Sequence, residues 1–514
     1  MNYREKISKI IWLIASICVL SLIFASCGNA PDSKTDDVIS ADDANTAEET
    51  TEVDLLSDDL EPEDFGGADF RILYRNGCAR GNWAAYEVHR IEIWAEEETG
   101  DVINDAVYSR NMEVESRFNV NIVGLPYPNN STNEAEVASY AKKAILSASN
   151  DFDIVVSWSN HLAPLAAEGM FVDWYSLPNV NMSKPWWIDN AMKAYTVKGK
   201  SYLAMNDMIF PGVIGEAAFI MFNKDLLASL GLENPYKLVL ENKWTLDTLS
   251  AISKDIYTDT NGDNLRDFDD IYGFTSDSWG SGYAMMWAGG ERITATGTDG
   301  LPYYDLYTER NVNLFTKVHD LFYNNIGSAI TANKNTIDFK GRGDQSFLFS
   351  AGNSLFLSER VGVLCTPEFR NAAFEYGVLP MPKYDESQEK YLTMINEHAS
   401  VMAVPVFNRD LNMTGKIVEA LSAESRRQLV PAYYEVALKT KYSRDEESVQ
   451  MLDLIFDGVV YDFGLLYAIP TFDIYQTFLS GNKDPGTFTS YIESNEDKAK
   501  AKLQDVIDLY ESID

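Results

Sequence analysis

The chain has 514 residues, 46% hydrophobic and 23% charged, enough for a large core and, at ~100–200 residues per domain, for two to four domains or lobes. Against 42 Lys and Arg stand 78 Asp and Glu, a formal charge of −36, which excludes a nucleic-acid partner and charge-driven binding to an anionic lipid surface. Four cysteines are too few for a disulfide scaffold or a zinc ribbon, and His89, His161, His319 and His398 show no metal-ligand spacing.

Arg4, Lys6 and Lys9 precede an unbroken run of apolar and small residues over 10–25. Its sixteen residues fall short of the roughly 20 that a spanning helix needs but suit the apolar region of a secretory signal. The run ends in Phe24-Ala25-Ser26-Cys27-Gly28, which resembles the lipobox of bacterial lipoproteins apart from Phe24 in place of the usual Leu. The resemblance implies a signal peptide over 1–26 and a diacylated Cys27 as the new N-terminus. An ordinary signal peptide with an incidental Cys27 is the competing reading. Cleavage would remove Cys18 and leave Cys78 and Cys365, expected as two buried free thiols rather than a disulfide.

Residues 28–64 then carry fourteen acids against one base, Lys34. Such a segment has too little apolar surface to offset its ordering entropy, so 27–65 is expected to be a disordered, self-repelling tether. No later stretch approaches 18 apolar residues, so the body is not expected to span a membrane.

From residue 66 strands alternate with helices. Residues 69–74 read as a strand. The spacing of Val107, Asn111, Val114 and Phe118 predicts a helix over 103–119, with Asp101 and Asn104 as caps. A strand over 119–124, a helix over 133–149 and a nearly continuous apolar strand over 153–158 follow. This order argues for a parallel sheet covered on both faces. The middle, 217–379, has helices and strands of its own, and 498–513 closes the chain as a helix with Ala499, Leu503, Val506, Ile507 and Tyr510 in one stripe. No fixed-period repeat occurs. The predicted fold class is α/β in two lobes.

Several segments, in this order, resemble the extracellular solute-binding proteins of the sugar-binding class that serve ABC importers, of which maltose-binding protein is the type. They are "NMEVESRFNVN" at 111–121, "FDIVVSW" at 152–158 with "LAAEGMFVDW" at 165–174, and "AFIMFNKDLLASLGL" at 218–232. Further on come "KWTLDTL" at 243–249, "YGVLPMPKYD" at 376–385, "ASVMAVP" at 399–405 and "PAYYEVALKTKYSRDEESVQMLDLI" at 431–455. The resemblance covers almost all of 66–514. It implies a two-lobe periplasmic-binding-protein-like fold with about three hinge crossings, near Glu216, Leu379 and Tyr442. Lobe 1 is then 66–216 with 379–442, and lobe 2 is 217–378 with 443–514. It also implies a cleft that shuts on its ligand by hinge bending, and no chemical step.

Composition supports the ligand class independently. Trp, Tyr and Phe total 63, and nine of the ten tryptophans lie in the body. A sugar ring offers an apolar face that stacks on indole and hydroxyls that need planar polar partners. Trp158 ends a predicted parallel strand, with His161 just after, and strand C-termini are where open α/β sheets bind ligands. Trp83 lies in the loop after the first strand, Trp279 follows "YGFTSDS", and Trp287 opens a small-residue loop. Asn206 and Asp207 follow one short strand and Glu397 precedes another. These eight residues are the candidate ligand contacts, each weighed against a plain core role, while Trp186 and Trp187 are assigned to packing.

One local motif is sharper. Asp259, Asn261, Asp263, Asp267 and Asp270 fall at positions 1, 3, 5, 9 and 12 of a twelve-residue loop, with the Leu265 carbonyl at position 7. That is the spacing of an EF-hand-type calcium loop, with Asn264 in place of glycine at 6 and Asp270 in place of glutamate at 12. A structural Ca²⁺ is therefore expected, against the plainer reading of a solvated acidic turn. No His-Glu-x-x-His, Gly-x-Ser-x-Gly, Walker-type or Gly-x-Gly-x-x-Gly motif occurs. Arg342-Gly343-Asp344 reads as a loop.

The expectation is a lipid-anchored, monomeric binding protein on the outer face of a bacterial cell membrane. It would pass a carbohydrate, expected to be an oligosaccharide, to the permease subunits of an ABC transporter. A surface glycoside hydrolase and an adhesive surface lipoprotein are the alternatives, since abundant carboxylates leave a catalytic pair open.

Overall fold

Asp101 starts the helix Val102–Phe118 by accepting the amides of Ile103 and Asn104 at 3.0 and 3.2 Å, and Asn119 ends it in the left-handed region at φ 47°. Between these caps Val102–Phe118 buries Ile103, Val107, Asn111, Val114 and Phe118, the stripe that the spacing predicts. The computed structural model describes residues 56–75, 92–127, 135–306, 308–333, 335–442, 445–467 and 472–512. Cys27, Cys78 and Trp83 lie outside the described residues. Among the described residues no helix is long and apolar enough to cross a membrane.

The strands in chain order are β1 (Ala68–Arg75), β2 (Val120–Tyr127), β3 (Ile154–Trp158), β4 (Ala218–Asn223), β5 (Tyr257–Thr258), β6 (Ile271–Asp277), β7 (Thr294–Thr296), β8 (Pro302–Tyr304), β9 (Ser328–Thr331), β10 (Ser354–Arg360), β11 (Tyr376–Leu379), β12 (Thr393–Met394), β13 (Ser400–Ala403) and β14 (Val459–Val460). They form two main sheets. The first runs β13-β3-β1-β2, with β1 parallel to both neighbours and β13 antiparallel to β3. The second runs β11-β4-β10-β6-β5, with β9 also paired to β6. In it β6 is parallel to β10 and β9, while β4 is antiparallel to β10 and β11. All five residues of β3 and all seven of β10 are buried, as strands covered on both faces should be. The fold is α/β with two lobes, one around each sheet.

The chain passes to the second sheet at residues 215–217. Leu379, named from sequence as the return, is instead the last residue of β11 in the second sheet. The return comes after Met394, where Ile395 bridges Ala217 and the Asn396 amide donates to the Glu216 carbonyl at 3.1 Å. Gly362 and Val361 donate to the carbonyls of Gly215 and Ala217 at 2.8 and 2.9 Å, so the end of β10 is tied to the same crossing. The family-like motif at 376–385 pointed at the strand before the crossing, not at the crossing itself.

Two further sequence boundaries shift. Residues 443–514 do not belong to the second lobe alone. Asp445 and Ser448 bond the Tyr236 hydroxyl there, but Tyr510 packs its ring 4.9 Å from Tyr202 of the first lobe, and Tyr461 lies 5.8 Å from Tyr195. Residues 56–64, expected as part of the tether, lie against the first lobe: Asp58 is only 7% exposed and pairs with Arg117. Composition alone missed this because the cations that receive the acids are distant in sequence. Trp186 and Trp187 pack as expected, and both indole N–H groups donate to the buried Glu419 at 3.1 Å, whose carboxyl burial pushes up to about 8.

Candidate functional site

Parallel strands bring their C-terminal ends to one edge, where the connections to following helices expose side chains to whatever lies beyond. In the first lobe that edge ends in Arg75 of β1 and Trp158 of β3; in the second it ends in Asp277 of β6 and Arg360 of β10. The paired crossings at Glu216 and at 395–399 run between them.

Trp158 is the centre of the first-lobe side. It is 5% exposed, with the Arg75 guanidinium carbon 3.7 Å from its ring centroid and the His398 ring stacked at 4.1 Å and 23°. His161, on the first turn of the helix Ser159–Ala167, leans on it at 5.3 Å. Beside the ring lies a cavity of about 10 Å³ lined by Arg75, Glu92, Ser157, Trp158 and Ser400 among others, room for about one water centre. The Trp158 indole N–H and the Ser157 hydroxyl meet no hydrogen-bond partner among the described residues. The buried indoles of Trp174 and Trp287 also lack a partner among the described residues, so the orphan donor alone does not single out Trp158. A sugar ring does not fit that space.

Glu397 joins the two sides. Its carboxylate accepts from the Tyr283 hydroxyl of the helix Gly280–Ala288 at 2.5 Å, and the Asn396 side-chain amide donates to that hydroxyl at 3.1 Å. Arg360 pairs with Glu216 at 3.2 Å and with Glu359 at 3.3 Å. Asp277 accepts from the Ser281 hydroxyl at 2.6 Å and from the Trp279 amide at 2.7 Å. Glu92 accepts from the Ser400 hydroxyl at 2.8 Å and from the Gly212 amide at 2.7 Å.

These groups are mostly buried, with the His398 and Glu397 side chains 25% and 11% exposed, and burial disfavours their charged forms. Glu92 is pushed up to about 8, Glu397 up to about 7 and Asp277 up to about 6, while His398 is driven down to about 3. Near neutrality part of the cluster is uncharged, so it can both donate and accept hydrogen bonds beside two arginines.

The structure thus brings Trp158, His161 and Glu397 together and sets Trp279 at their margin. Half-buried Trp279 precedes Gly280, where an added Cβ would come within 2.8 Å of the Asn396 amide nitrogen. The other candidates lie elsewhere. Asn206 is fully buried, caps Met208 at 3.0 Å and donates to Ser422 at 2.6 Å; Asp207 pairs with Arg426 at 2.5 Å. Both hold helices of the first lobe together. Trp287 is 1% exposed and packs edge-on to Tyr283 and Tyr475 at 5.9 and 6.0 Å in the second-lobe core. The sequence reading missed Arg75, Glu92, Tyr283, Arg360 and His398 as site residues. The strand-end rule would have found Arg75 and Arg360; nothing local distinguishes Glu92 or Tyr283.

The 259–270 loop begins as a tight turn closed on its own amides. Asp259 accepts the amides of Gly262 and Asn264 at 2.7 and 2.9 Å, and Asp263 accepts that of Leu265 at 2.8 Å, a tight turn that Gly262 and Asn264 permit at φ 75° and 60°. Asp270 turns back to the start of the loop and accepts the Thr260 amide at 3.3 Å. Asp267 pairs with Lys340 at 2.6 Å, and Asp270 accepts from the Tyr257 hydroxyl at 3.1 Å and the Asp267 amide at 3.2 Å. Among the described residues no three His, Cys, Asp or Glu side chains are grouped to hold an ion. Lys340 pairs with both Asp267 and Asp269.

Residues 130–395, just over half of the chain, match the family of bacterial extracellular solute-binding proteins. The chain belongs to that family. Solved structures of this kind share its fold at low identity. An ABC substrate-binding protein from Listeria monocytogenes in complex with cycloalternan is 14% identical, covering 84% of this chain and 98% of its own, with a TM-score of 0.52. A maltose/maltodextrin-binding domain from Bdellovibrio bacteriovorus bound to maltotriose is 14% identical over 85% and 99% of the two chains, at 0.51. A cyclo/maltodextrin-binding protein complexed with maltotetraose is 12% identical over 86% and 96%, at 0.53. No curated protein sequence matches this solute-binding protein.

Proposed function

We propose that this solute-binding protein takes up a carbohydrate, an oligosaccharide in preference to a monosaccharide, between its lobes at Trp158 and Glu397, and passes it to the permease of an ABC transporter. The observation that carries the reading is the meeting of opposed strand ends around Trp158, with an unspent indole donor, two arginines and carboxyls that burial holds partly neutral. Indole offers stacking area, and a mixed set of donors and acceptors matches hydroxyls that do both. The oligosaccharides named for the structural neighbours support the same class. No chemical step is proposed.

A thermal-shift screen over mono- and oligosaccharides tests the reading, with small-angle scattering on any ligand that shifts the melt. A shift, a more compact particle and unchanged sugar are expected. New reducing ends would turn the reading to a hydrolase, and no shift with any sugar would leave the adhesive lipoprotein as the better one.

The membrane link rests on the sequence. We propose that Cys27 carries two acyl chains, because one chain gives only marginal binding and the acidic residues after it are repelled by anionic headgroups. Cys27→Ala is expected to leave the membrane fraction with ligand affinity unchanged; retention after a high-salt wash would sink the lipobox reading. For the 259–270 loop the proposal that fits is an acidic turn neutralised by Lys340 and Arg342, with calcium as the competing occupant.

A further inference from the structure

Three of the five acids of residues 56–64 are met by cations from distant places in the sequence, and a fourth cation meets a backbone carbonyl. Arg117 donates to Asp58 at 2.9 Å and to the Leu60 carbonyl at 3.3 Å. Lys184 donates to the Ser57 carbonyl at 2.6 Å and pairs with Asp59 at 2.5 Å. Lys416 pairs with Glu63 at 2.6 Å and donates to the Glu61 carbonyl at 3.1 Å, while Arg427 donates to the Leu56 carbonyl. Neutral amides finish the set: Asn412 donates to Glu63 at 3.2 Å and Asn119 to Asp64 at 2.7 Å. Phe65 then closes the segment, its amide donating to the Phe118 carbonyl at 2.9 Å and its ring 6.4 Å from that of Phe118.

Two features separate this from ordinary surface pairing, which contributes little. The Asp58 and Lys416 side chains are 4% and 6% exposed, so their charges are shielded from salt and water. Several cations also bond backbone carbonyls as well as carboxylates, which fixes the course of the segment and not only its charge. Every partner lies in the first lobe: Arg117 and Asn119 at the end of the helix Val102–Phe118, Lys184 before the helix Asp189–Tyr195, Asn412 and Lys416 on the helix Leu411–Glu424, and Arg427 on the turn Ser425–Leu429. In a chain of charge −36, a basic strip of this kind fits an acidic peptide, and its occupant is the chain's own segment.

We propose that residues 56–64 are a clamp that fastens the N-terminal segment to the first lobe alone, so that whatever holds the N-terminus holds that lobe and hinge bending swings the second lobe past it. The clamp shortens the expected free tether by nine residues and gives the body one point of attachment. It does not depend on the identity of the ligand or of the anchor.

Zero-length carbodiimide cross-linking of the full chain, read by mass spectrometry, tests it. The expected products join Lys416 to Glu63 and Lys184 to Asp59. Cross-links from 56–64 to second-lobe lysines such as Lys224, Lys243 or Lys340, or none at all, would overturn the proposal. Hydrogen exchange gives the second arm. The Leu60 and Phe65 amides, which donate to Asp58 and to the Phe118 carbonyl, are expected to exchange at least about tenfold slower than in an unstructured peptide, and to lose that protection in the triple variant Asp58→Asn, Asp59→Asn, Glu63→Gln. Asp58 is buried against the first lobe, so near-UV circular dichroism checks that the variant keeps its fold, and the double variant Asp59→Asn, Glu63→Gln at the two more exposed carboxylates is read beside it. Unprotected wild-type amides, or protection that survives in the variant, would refute the clamp.

Discussion

Two acid-rich regions of this protein behave in opposite ways. In the 259–270 loop the acids are contiguous in sequence, and Lys340 and Arg342 hold Asp267 and Asp269 below the usual carboxylate range. At the crossing between the lobes, Glu92, Asp277 and Glu397 come from three distant stretches, and burial pushes all three up. At Asp267, itself buried, a bonded lysine favours the charge; at Glu92, Asp277 and Glu397, where desolvation is the largest cause, the proton is favoured. A conspicuous run of acids is therefore the weaker pointer to function here, and the scattered set is the stronger one.

Breaking the buried side has the largest expected effect. Arg360→Ala leaves Glu216 and Glu359 without their shared cation, and loss of one partner of a buried pair costs about 3–5 kcal/mol. Urea unfolding at constant pH measures it. A loss under about 1 kcal/mol would mean that water reaches the crossing.

Next comes Trp158. Its replacement by Ala is expected to weaken a confirmed carbohydrate ligand by about 3 kcal/mol, roughly a hundredfold or more, from lost stacking and lost buried area. Titration calorimetry reads it, with Trp287→Ala as the contrast: a core residue should lower the melting point while leaving the affinity of the folded fraction near wild type.

The pH dependence sharpens the comparison further. Glu92 and Glu397 keep their protons to about 8 and about 7 in the folded protein but release them near 4.5 when unfolded, so folding binds protons between those limits. Their contribution to stability is full at low pH and declines as pH rises through 7 and 8. His398, held neutral down to about 3, has the opposite sign, but its loss falls below its ordinary 6.5. From about pH 6.5 to about pH 8.5 the two carboxyls should cost about 2–3 kcal/mol. The double variant Glu92→Gln, Glu397→Gln should flatten that slope; an unchanged slope would place the titration elsewhere.

The exposed side should yield least. A melting curve in chelator against one in millimolar calcium is expected to differ by no more than about 1 °C, because the loop closes on its own amides and on Lys340. A larger shift that disappears in Asp263→Ala would return the loop to calcium, since a bound ion stabilises by mass action.

Much was settled along the chain itself. Caps and stripe spacing place the helix Val102–Phe118, and an apolar run places β3, because these depend on neighbours three to five residues apart. The strand-end rule then put Trp158 at the C-terminal end of β3. Only the tertiary structure decided what surrounds it. Arg75, Glu92, Arg360 and His398 reach the same crossing from positions spread over more than three hundred residues, and no local pattern records that meeting. The same holds for Lys340 across the acidic loop and for Lys416 under Glu63. Charge in the sequence shows that cations must be found somewhere; which acid each one meets is fixed by packing, since an ion pair forms only between groups that the fold has brought within a few ångströms.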